Sequence, residues 1–347
     1  MQDPGPPSLP EHPPVWDRLG LRLINDPRDL PFVHLIVACS VTAGLGLALY
    51  PISRAWLPGS TFWLAAVGYL LIWALWTLDR FILMLHCTSH RILFRREARW
   101  LNYLVPVVLG PFFGETPQTY FAHHMGMHHP ENNLHDDLST TMPFQRDRFG
   151  HWLRYFGRFL GGVAIELPLY FLRRGQRKMA ARAFFGELSF WIVVGLLATF
   201  ADWRATLVVF VIPVLMVRVL MMAGNWAQHA FVDPAAPGDP YRNSITCIDS
   251  RYNRRCFNDG YHIHHHVKAR CHWSEYPGEF QTNMRTYGEH DAIVFRGLDF
   301  FIVWVLLMLH RYETMALARV ELPGAPTRTV EERIAFMKSR LAPIPRA

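Results

Sequence analysis

Four stretches of the chain are long, apolar and almost free of charge, and they constrain the fold more than any other feature. They cover residues 32–50, 61–85, 187–200 and 205–224 of the 347 residues. A helix rises about 1.5 Å per residue, so roughly 20 residues cross a hydrocarbon core of about 30 Å. We therefore predict an all-α integral membrane protein with about four transmembrane helices.

A substantial polar part must lie outside the lipid, since 18% of the residues are charged. Residues 1–31 are rich in proline and lack the apolar segment of a signal peptide, which predicts a flexible leader. Residues 32–347 are predicted to form one membrane domain. Its polar segments are residues 86–186 and 225–347, and we expect them to form a helical cap on the membrane helices.

The basic residues predict which side of the membrane these segments occupy. Thirteen Arg and Lys residues lie between His86 and Gly186, whereas the two connectors on the opposite side contain only Arg54 and Arg204. Short loops that are rich in Arg and Lys stay in the cytoplasm. The chain is thus predicted to be a multi-pass protein with both polar segments and both termini on the cytoplasmic side.

The net charge of +7 and the five cysteines exclude several other classes of protein. The basic residues are not interleaved with aromatic residues, so no nucleic-acid partner is expected. Anionic membrane lipids and an acidic protein partner are better explanations for the charge. The cysteines show no CxxC spacing, which argues against a disulfide framework or a thiolate metal site.

Histidines recur in four short motifs that together suggest a metal centre. The motifs are HxxxH at His86 and His90, HxxxHH at His124, His128 and His129, NxxxH at Asn225 and His229, and HxxHH at His262, His265 and His266. Residues four apart share one face of a helix, so both side chains of such a pair can reach the same metal ion. The four motifs predict a metal site that several segments build together.

Nine histidines exceed what one tetrahedral zinc ion can use, and this predicts two metal ions. Imidazole suits zinc, copper, iron and nickel, so the ligand type leaves the metal open. The HExxH motif of zinc proteases is missing, because Cys87 and Thr88 occupy the first motif. The Glu-x-x-His motif of carboxylate-bridged di-iron bundles is missing as well.

In this order the four motifs resemble those of the membrane fatty acid desaturase superfamily, over about His86 to His266. The resemblance implies two iron ions held by nine histidines, with an asparagine completing one coordination sphere through water. The implied ligands are His86, His90, His124, His128, His129, His229, His262, His265 and His266, with Asn225 in the water-mediated role. The Asp259–Gly260–Tyr261 sequence before His262 is similar to that of desaturases, whereas the longer second motif is common in alkane hydroxylases.

The resemblance also implies a reaction, an O₂-dependent introduction of a double bond into a long fatty acyl chain. Hydroxylation of an alkyl or acyl chain and oxidative decarboxylation of a free fatty acid to a terminal alkene stay open as alternatives. Breaking an unactivated C–H bond requires a metal cofactor, because no side chain is a strong enough oxidant. A histidine-rich metal transporter is disfavoured, since its ligands would be distributed along a transmembrane path.

Two further expectations concern the surroundings of the metals. No HPGG heme motif occurs in the sequence, so the electrons are expected from a separate donor of the ferredoxin, rubredoxin or cytochrome b5 type. Carboxylates near the motifs are expected to orient the imidazole rings, and the candidates are Asp136, Asp137 and Asp259.

Overall fold

The computed structural model of the chain describes residues 2–9, 11–55 and 59–346, of which most are helical. The α-helices are α1 Val15–Leu23, α2 Leu30–Arg54, α3 Gly59–Ile72, α4 Asp79–His90, α5 Thr119–His123, α6 His129–Glu131, α7 Phe149–Arg173, α8 Arg177–Leu196, α9 Trp203–Thr206, α10 Ile212–Gln228, α11 Pro240–Asn243, α12 Arg251–Arg255, α13 His262–Val267, α14 Tyr276–Glu289, α15 Phe300–Met308, α16 Tyr312–Ala318 and α17 Val330–Ser339. Turns of 3₁₀-helix cover Pro27–Asp29, Arg96–Tyr103 and Gly110–Phe113, and π-helical turns cover Trp73–Leu78, Leu104–Leu109, His124–His128, Leu197–Ala201 and Leu207–Val211.

Four continuous helices are long and apolar enough to cross a membrane, which confirms the predicted number. They are Pro27–Arg54, Gly59–His90, Arg177–Ala201 and Trp203–Gln228. The third begins ten residues before the predicted start at residue 187. Its first turns contain Arg177, Lys178 and Arg182. These residues are good helix formers, but the prediction omitted them because it was based on apolar residues alone.

The chain divides into two compact units. The span unit comprises Ser8–His123 and Ala164–Arg218. The C-terminal unit comprises Met1–Pro7, His124–Val163 and Val219–Ala347.

In the span unit, close helix contacts and paired polar groups hold the apolar helices together. At Gly46 of α2, an added Cβ would lie 3.0 Å from the ring of Tyr69 in α3, so only glycine allows this approach. Buried Glu187 of α8 accepts a hydrogen bond of 2.8 Å from the Thr116 hydroxyl and forms an ion pair with Arg218. A carboxylate in an apolar helix requires such partners, because an unpaired buried charge is strongly destabilising.

In the C-terminal unit, an apolar core surrounds a two-stranded parallel sheet that was not part of the predicted all-α fold. Strand β1 (Ile245–Ile248) pairs with β2 (Ile293–Arg296), with Ile245 opposite Ile293. All four residues of β1 are buried. A segment of four residues is too short for an alternation of apolar and polar residues to distinguish a strand from a helix.

Arg146 links distant segments of the C-terminal unit from a fully buried position. Its guanidinium donates to the backbone carbonyls of Ala230 at 2.7 Å and of Arg340 and Ala342 at 2.8 Å each. Burial lowers the pKa of Arg146 to about 10, so the group stays charged at neutral pH. Carbonyl dipoles from two distant segments thus surround one buried cation.

Candidate metal centre

The second histidine motif lies on the π-helical turn His124–His128, which leads directly into α6. In an α-helix, a side chain five residues later points roughly 140° away. In the wider π-turn, the fourth and the fifth following residues both point within about 50° of the first. The ring of His124 accordingly lies 5.8 Å from the ring of His128 and 4.5 Å from the ring of His129, between centroids. The π-turn thus accommodates the extra residue of the longer motif.

A first histidine cluster in the C-terminal unit consists of His124, His129 and His265. Nε2 of His129 lies 3.1 Å from Nε2 of His124 and 2.9 Å from Nε2 of His265. Nδ1 of His265 lies 3.2 Å from the Tyr276 hydroxyl, which leaves Nε2 facing the other two rings. The second and the fourth motif therefore meet here.

A second cluster in the same unit consists of His128, His229, His262 and His266, whose nearest ring nitrogens all lie within 4.8 Å of one another. Nε2 of His262 lies 3.3 Å from Nε2 of His229 and 3.0 Å from Nε2 of His266. This cluster brings together ligands predicted from the second, third and fourth motifs.

The two clusters are neighbours, because the second and fourth motifs contribute to both. The ring centroid of His129 in the first cluster lies 4.9 Å from that of His266 and 6.1 Å from that of His128 in the second. The arrangement suits a pair of metal ions better than two distant single sites.

Hydrogen bonds to Nδ1 orient two rings of the second cluster. Nδ1 of His128 donates to the buried carboxylate of Asp137 at 2.7 Å. Nδ1 of His229 lies 3.1 Å from both the carbonyl oxygen and the side-chain oxygen of Asn243. Both contacts leave Nε2 for a metal, as is typical of histidine ligands. No sequence signal singled out Asn243, which lies fourteen residues after His229.

Of the three carboxylates predicted to orient ligands, Asp137 contacts one directly. Asp136 instead pairs with Arg346 at 2.7 Å, and Asp259 accepts a hydrogen bond of 2.9 Å from the Tyr252 hydroxyl. Neither of these two contacts supports a role in orienting an imidazole.

Burial keeps two imidazoles of the second cluster, those of His229 and His266, neutral at pH 7. It lowers the pKa of His229 to about 4, and the neighbouring ring of His128 adds to this effect. Burial, followed by the charge that His262 would carry, also holds the pKa of His266 well below its usual range. Since a metal ion binds only the deprotonated nitrogen, rings that are neutral at pH 7 are ready to bind it.

Asn225, predicted to act through water, has its amide nitrogen fixed. Nδ2 donates to the carbonyl of Ser139 at 3.0 Å and to the hydroxyl of Tyr155 at 2.7 Å. The side-chain oxygen of Asn225 is then the atom that can accept a hydrogen bond from water, which is compatible with the predicted role.

His86 and His90 of the first motif belong to the span unit. They lie one turn apart at the end of α4, with ring centroids separated by 5.2 Å, and His86 is buried. The predicted sharing of one helix face is confirmed for this pair.

The spacing of the nitrogens fits metal ions. Two nitrogens that bind one ion at about 2.1 Å lie about 3.0 Å apart at a right angle and about 3.4 Å apart at a tetrahedral angle. The Nε2 pairs above are separated by 2.9–3.3 Å. Within the part of the chain that the structure describes, neither cluster includes a cysteine or a carboxylate, so the donor set is purely imidazole and suits a borderline metal such as iron.

Tight packing before His262 explains the small residue at position 260. An added Cβ on Gly260 would lie 2.3 Å from the Cys247 carbonyl and 2.4 Å from the Asn253 side-chain oxygen. The next residue, Tyr261, donates its hydroxyl to Asp3 at 2.7 Å. Asp3 belongs to the segment for which composition predicts a flexible leader, and that flexibility stays a prediction.

Residues 60–297 match the profile of a protein family described as fatty acid desaturase. The matched segment contains all four histidine motifs and every residue of the two clusters. No curated protein and no solved structure shows a significant match to the chain.

Proposed function

The chain belongs to the fatty acid desaturase family, and from this premise we propose that it is a membrane-bound, O₂-dependent di-iron enzyme that introduces a double bond into a long fatty acyl chain. The observation that carries the proposal is the pair of adjacent clusters of buried and half-buried imidazoles. Family membership alone supports an oxidoreductase of lipid metabolism; the clusters are the reason for proposing two metals.

We propose nine histidines as the iron ligands. Seven of them are the members of the two clusters, and the family pattern adds His86 and His90. Asn225 is proposed to hold a water molecule for one iron. When bound, the irons would supply the O₂-dependent oxidation of a C–H bond that no side chain can perform.

The surrounding residues have distinct proposed tasks. Asp137 and Asn243 hold the rings of His128 and His229 with Nε2 toward the metals. Tyr276 does the same for His265. Burial lowers the pKa of His229 and of His266, so protons do not compete with the metals for these two rings at neutral pH.

The substrate is proposed to be a fatty acyl or alkyl lipid, taken up from the membrane. A cleft of about 160 Å³ in the span unit adjoins the first motif at Thr88 and Ser89, and its other lining is mostly apolar. Its polar groups include Gln118 and Arg182. Trp73, on a π-helical turn of the same unit, is fully buried and donates to the Phe112 carbonyl at 3.0 Å. These contacts indicate a role in packing and not in substrate binding.

We further propose that the protein is multi-pass, with its histidine motifs and both termini in the cytoplasm. The support is the excess of Arg and Lys between His86 and Gly186 over the opposite connectors. On that side, a small acidic donor of the ferredoxin, rubredoxin or cytochrome b5 type would deliver electrons, and anionic lipids would share the basic surface.

Hydroxylation is the second candidate, because the longer form of the second motif is common in alkane hydroxylases. The extra residue of that motif lies on a π-turn within the centre itself. The two reactions begin with the same hydrogen abstraction. They diverge according to whether a second hydrogen can be removed before oxygen is transferred. Decarboxylation of a free fatty acid would diverge at the same point.

Mass spectrometry of cells that express the chain and receive a saturated fatty acid distinguishes these outcomes. Loss of two hydrogens with the carbon count retained is the expected result. Gain of one oxygen would replace desaturation by hydroxylation, and a volatile alkene one carbon shorter would replace it by decarboxylation.

Matched variants connect the product to the centre. His128→Ala is expected to abolish the product, whereas His310→Ala should retain it, since His310 lies outside both clusters and contacts the Tyr312 hydroxyl at 3.2 Å. Equal losses in both variants would contradict the proposed site.

A further inference from the structure

Three potential metal ligands, His264, Cys271 and Glu279, converge in the C-terminal unit outside the two histidine clusters. We propose that they form a third metal site, which binds one zinc ion and has a structural role. Their ligand atoms all lie within 4.8 Å of one another. None of the three belongs to the ligand set inferred for the irons.

Distances within the group match a tetrahedral zinc site. Nε2 of His264 lies 3.7 Å from a carboxylate oxygen of Glu279. We propose Glu275 as the fourth ligand, since one of its carboxylate oxygens lies 3.4 Å from the sulfur of Cys271. With zinc–nitrogen and zinc–oxygen bonds of about 2.1 Å and a zinc–sulfur bond of about 2.3 Å, tetrahedral ligands lie roughly 3.4–3.6 Å apart.

His264 is the clearest sign that a ligand belongs here. Its side chain is buried, at 3% exposure. Within the described part of the chain, neither of its ring nitrogens has a hydrogen-bond partner. A buried polar group without a partner costs about 1–3 kcal/mol, and a metal bond to Nε2 would satisfy it.

Charge in this group also favours a cation. Lys268 holds the other oxygen of Glu279 at 2.6 Å, which fixes the carboxylate and leaves its second oxygen toward His264. Burial, reinforced by the Glu275 carboxylate, raises the pKa of the Cys271 thiol to about 12. A divalent ion would displace the thiol proton and neutralise the negative charge that accumulates there.

The mixture of sulfur, nitrogen and oxygen ligands favours zinc over iron. Zinc readily accepts all three, and a site with four protein ligands and no open position is structural. The ion would connect α13, which carries the fourth histidine motif, to the segment 268–275 and to α14. Because α14 begins with Tyr276, which contacts His265, the zinc would help to position the first histidine cluster.

A sulfur ligand would distinguish zinc bound at this site from zinc bound in place of iron in the histidine clusters, which contain no sulfur ligand. The full chain, purified from cells supplied with iron and zinc, is expected to contain one zinc ion besides its iron. X-ray absorption at the zinc edge should show one sulfur neighbour at about 2.3 Å. Zinc with only nitrogen and oxygen neighbours, or protein that contains iron but no zinc, would overturn the proposal.

Variants complete the test. Cys271→Ser and His264→Asn are expected to lose the zinc–sulfur signal and at least half of the zinc, whereas Cys256→Ser should keep both, since Cys256 is a buried cysteine outside the group. Unchanged zinc in Cys271→Ser would refute the site. Zinc bound through sulfur in a protein without iron would leave this site standing and contradict the di-iron proposal instead.

Discussion

Replacing Asp137 by Asn is the most incisive test of how the centre is organised. The Asp137 carboxylate accepts four hydrogen bonds. One oxygen accepts from the backbone nitrogen and the hydroxyl of Ser139, at 2.7 and 2.6 Å. The other accepts from Nδ1 of His128 and from the backbone nitrogen of Asn133, at 2.7 and 3.0 Å. An asparagine has one acceptor oxygen. If its amide nitrogen faces Ser139, the backbone N–H of Ser139 loses its acceptor, whereas the Ser139 hydroxyl can rotate and accept from the amide. If the nitrogen faces His128, Nδ1 of His128 and the backbone N–H of Asn133 both lose their acceptor.

Each unsatisfied buried donor costs about 1–3 kcal/mol, and the less costly orientation leaves one donor unsatisfied, so the substitution should destabilise the C-terminal unit by about 1–3 kcal/mol. The side chain keeps its shape, and loss of the carboxylate that orients a histidine ligand typically lowers metal affinity or activity about 10–100-fold. We expect losses of this size in bound iron and in turnover, measured by metal analysis and by product formation in the same membrane preparation.

The neighbouring Asp136→Asn variant is the matched control, because its carboxylate pairs with Arg346 at the surface. It should retain iron and turnover within about twofold, as surface ion pairs contribute at most about 1 kcal/mol. Wild-type iron content and turnover in Asp137→Asn would refute the view that this carboxylate orients His128.

Three further predictions follow from packing, protonation and charge. Gly260→Ala should destabilise the C-terminal unit by about 1–3 kcal/mol and lower turnover, because the added methyl group would overlap two oxygens. Gly278→Ala should be neutral, since an added methyl group there would enter open space. Thermal unfolding of the two variants tests this difference. The unfolded chain takes up a proton on His229 near pH 6.5, but the folded chain does so only at about pH 4, so metal-free protein should lose stability as the pH falls through this window. Unfolding temperatures measured from pH 7 to pH 4 test this, and an equal pH dependence in His229→Gln would contradict it. Donor-dependent turnover should fall several-fold between low and moderate ionic strength, since salt screens the basic surface, and a flat response would exclude electrostatic docking.

The sequence predicted the features that depend on local periodicity. Uncharged stretches of sufficient length identify helices that can cross a membrane, because few other structures satisfy the backbone there. The four-residue spacing of His86 and His90 likewise predicted that both rings share a helix face. These inferences need no knowledge of tertiary contacts.

Other features depend on contacts between distant residues and could not be predicted. The spacing of the second motif did not reveal the π-turn that brings His129 beside His124. Asn243 orients His229 through contacts that no motif marks. Three nearby carboxylates looked equivalent in the sequence, and only their surroundings distinguish Asp137 from Asp136.

The site around His264 illustrates the same limit. This histidine lies inside the fourth motif, where the ligand spacing leaves it without a role. Cys271 has no nearby cysteine and therefore gives no metal-binding signal in the sequence. Only the turn after α13 brings the two residues and Glu279 together.

The buried position of Arg146 has a consequence for the order of events during biosynthesis. The carbonyl of Arg340 that receives its guanidinium is 194 residues further along the chain. Nascent chains fold from the N-terminal side as they are made. The segment after the second histidine motif can therefore reach its final position only late in translation. The rate of synthesis thus limits how early the fully folded C-terminal unit can bind the proposed metal ions.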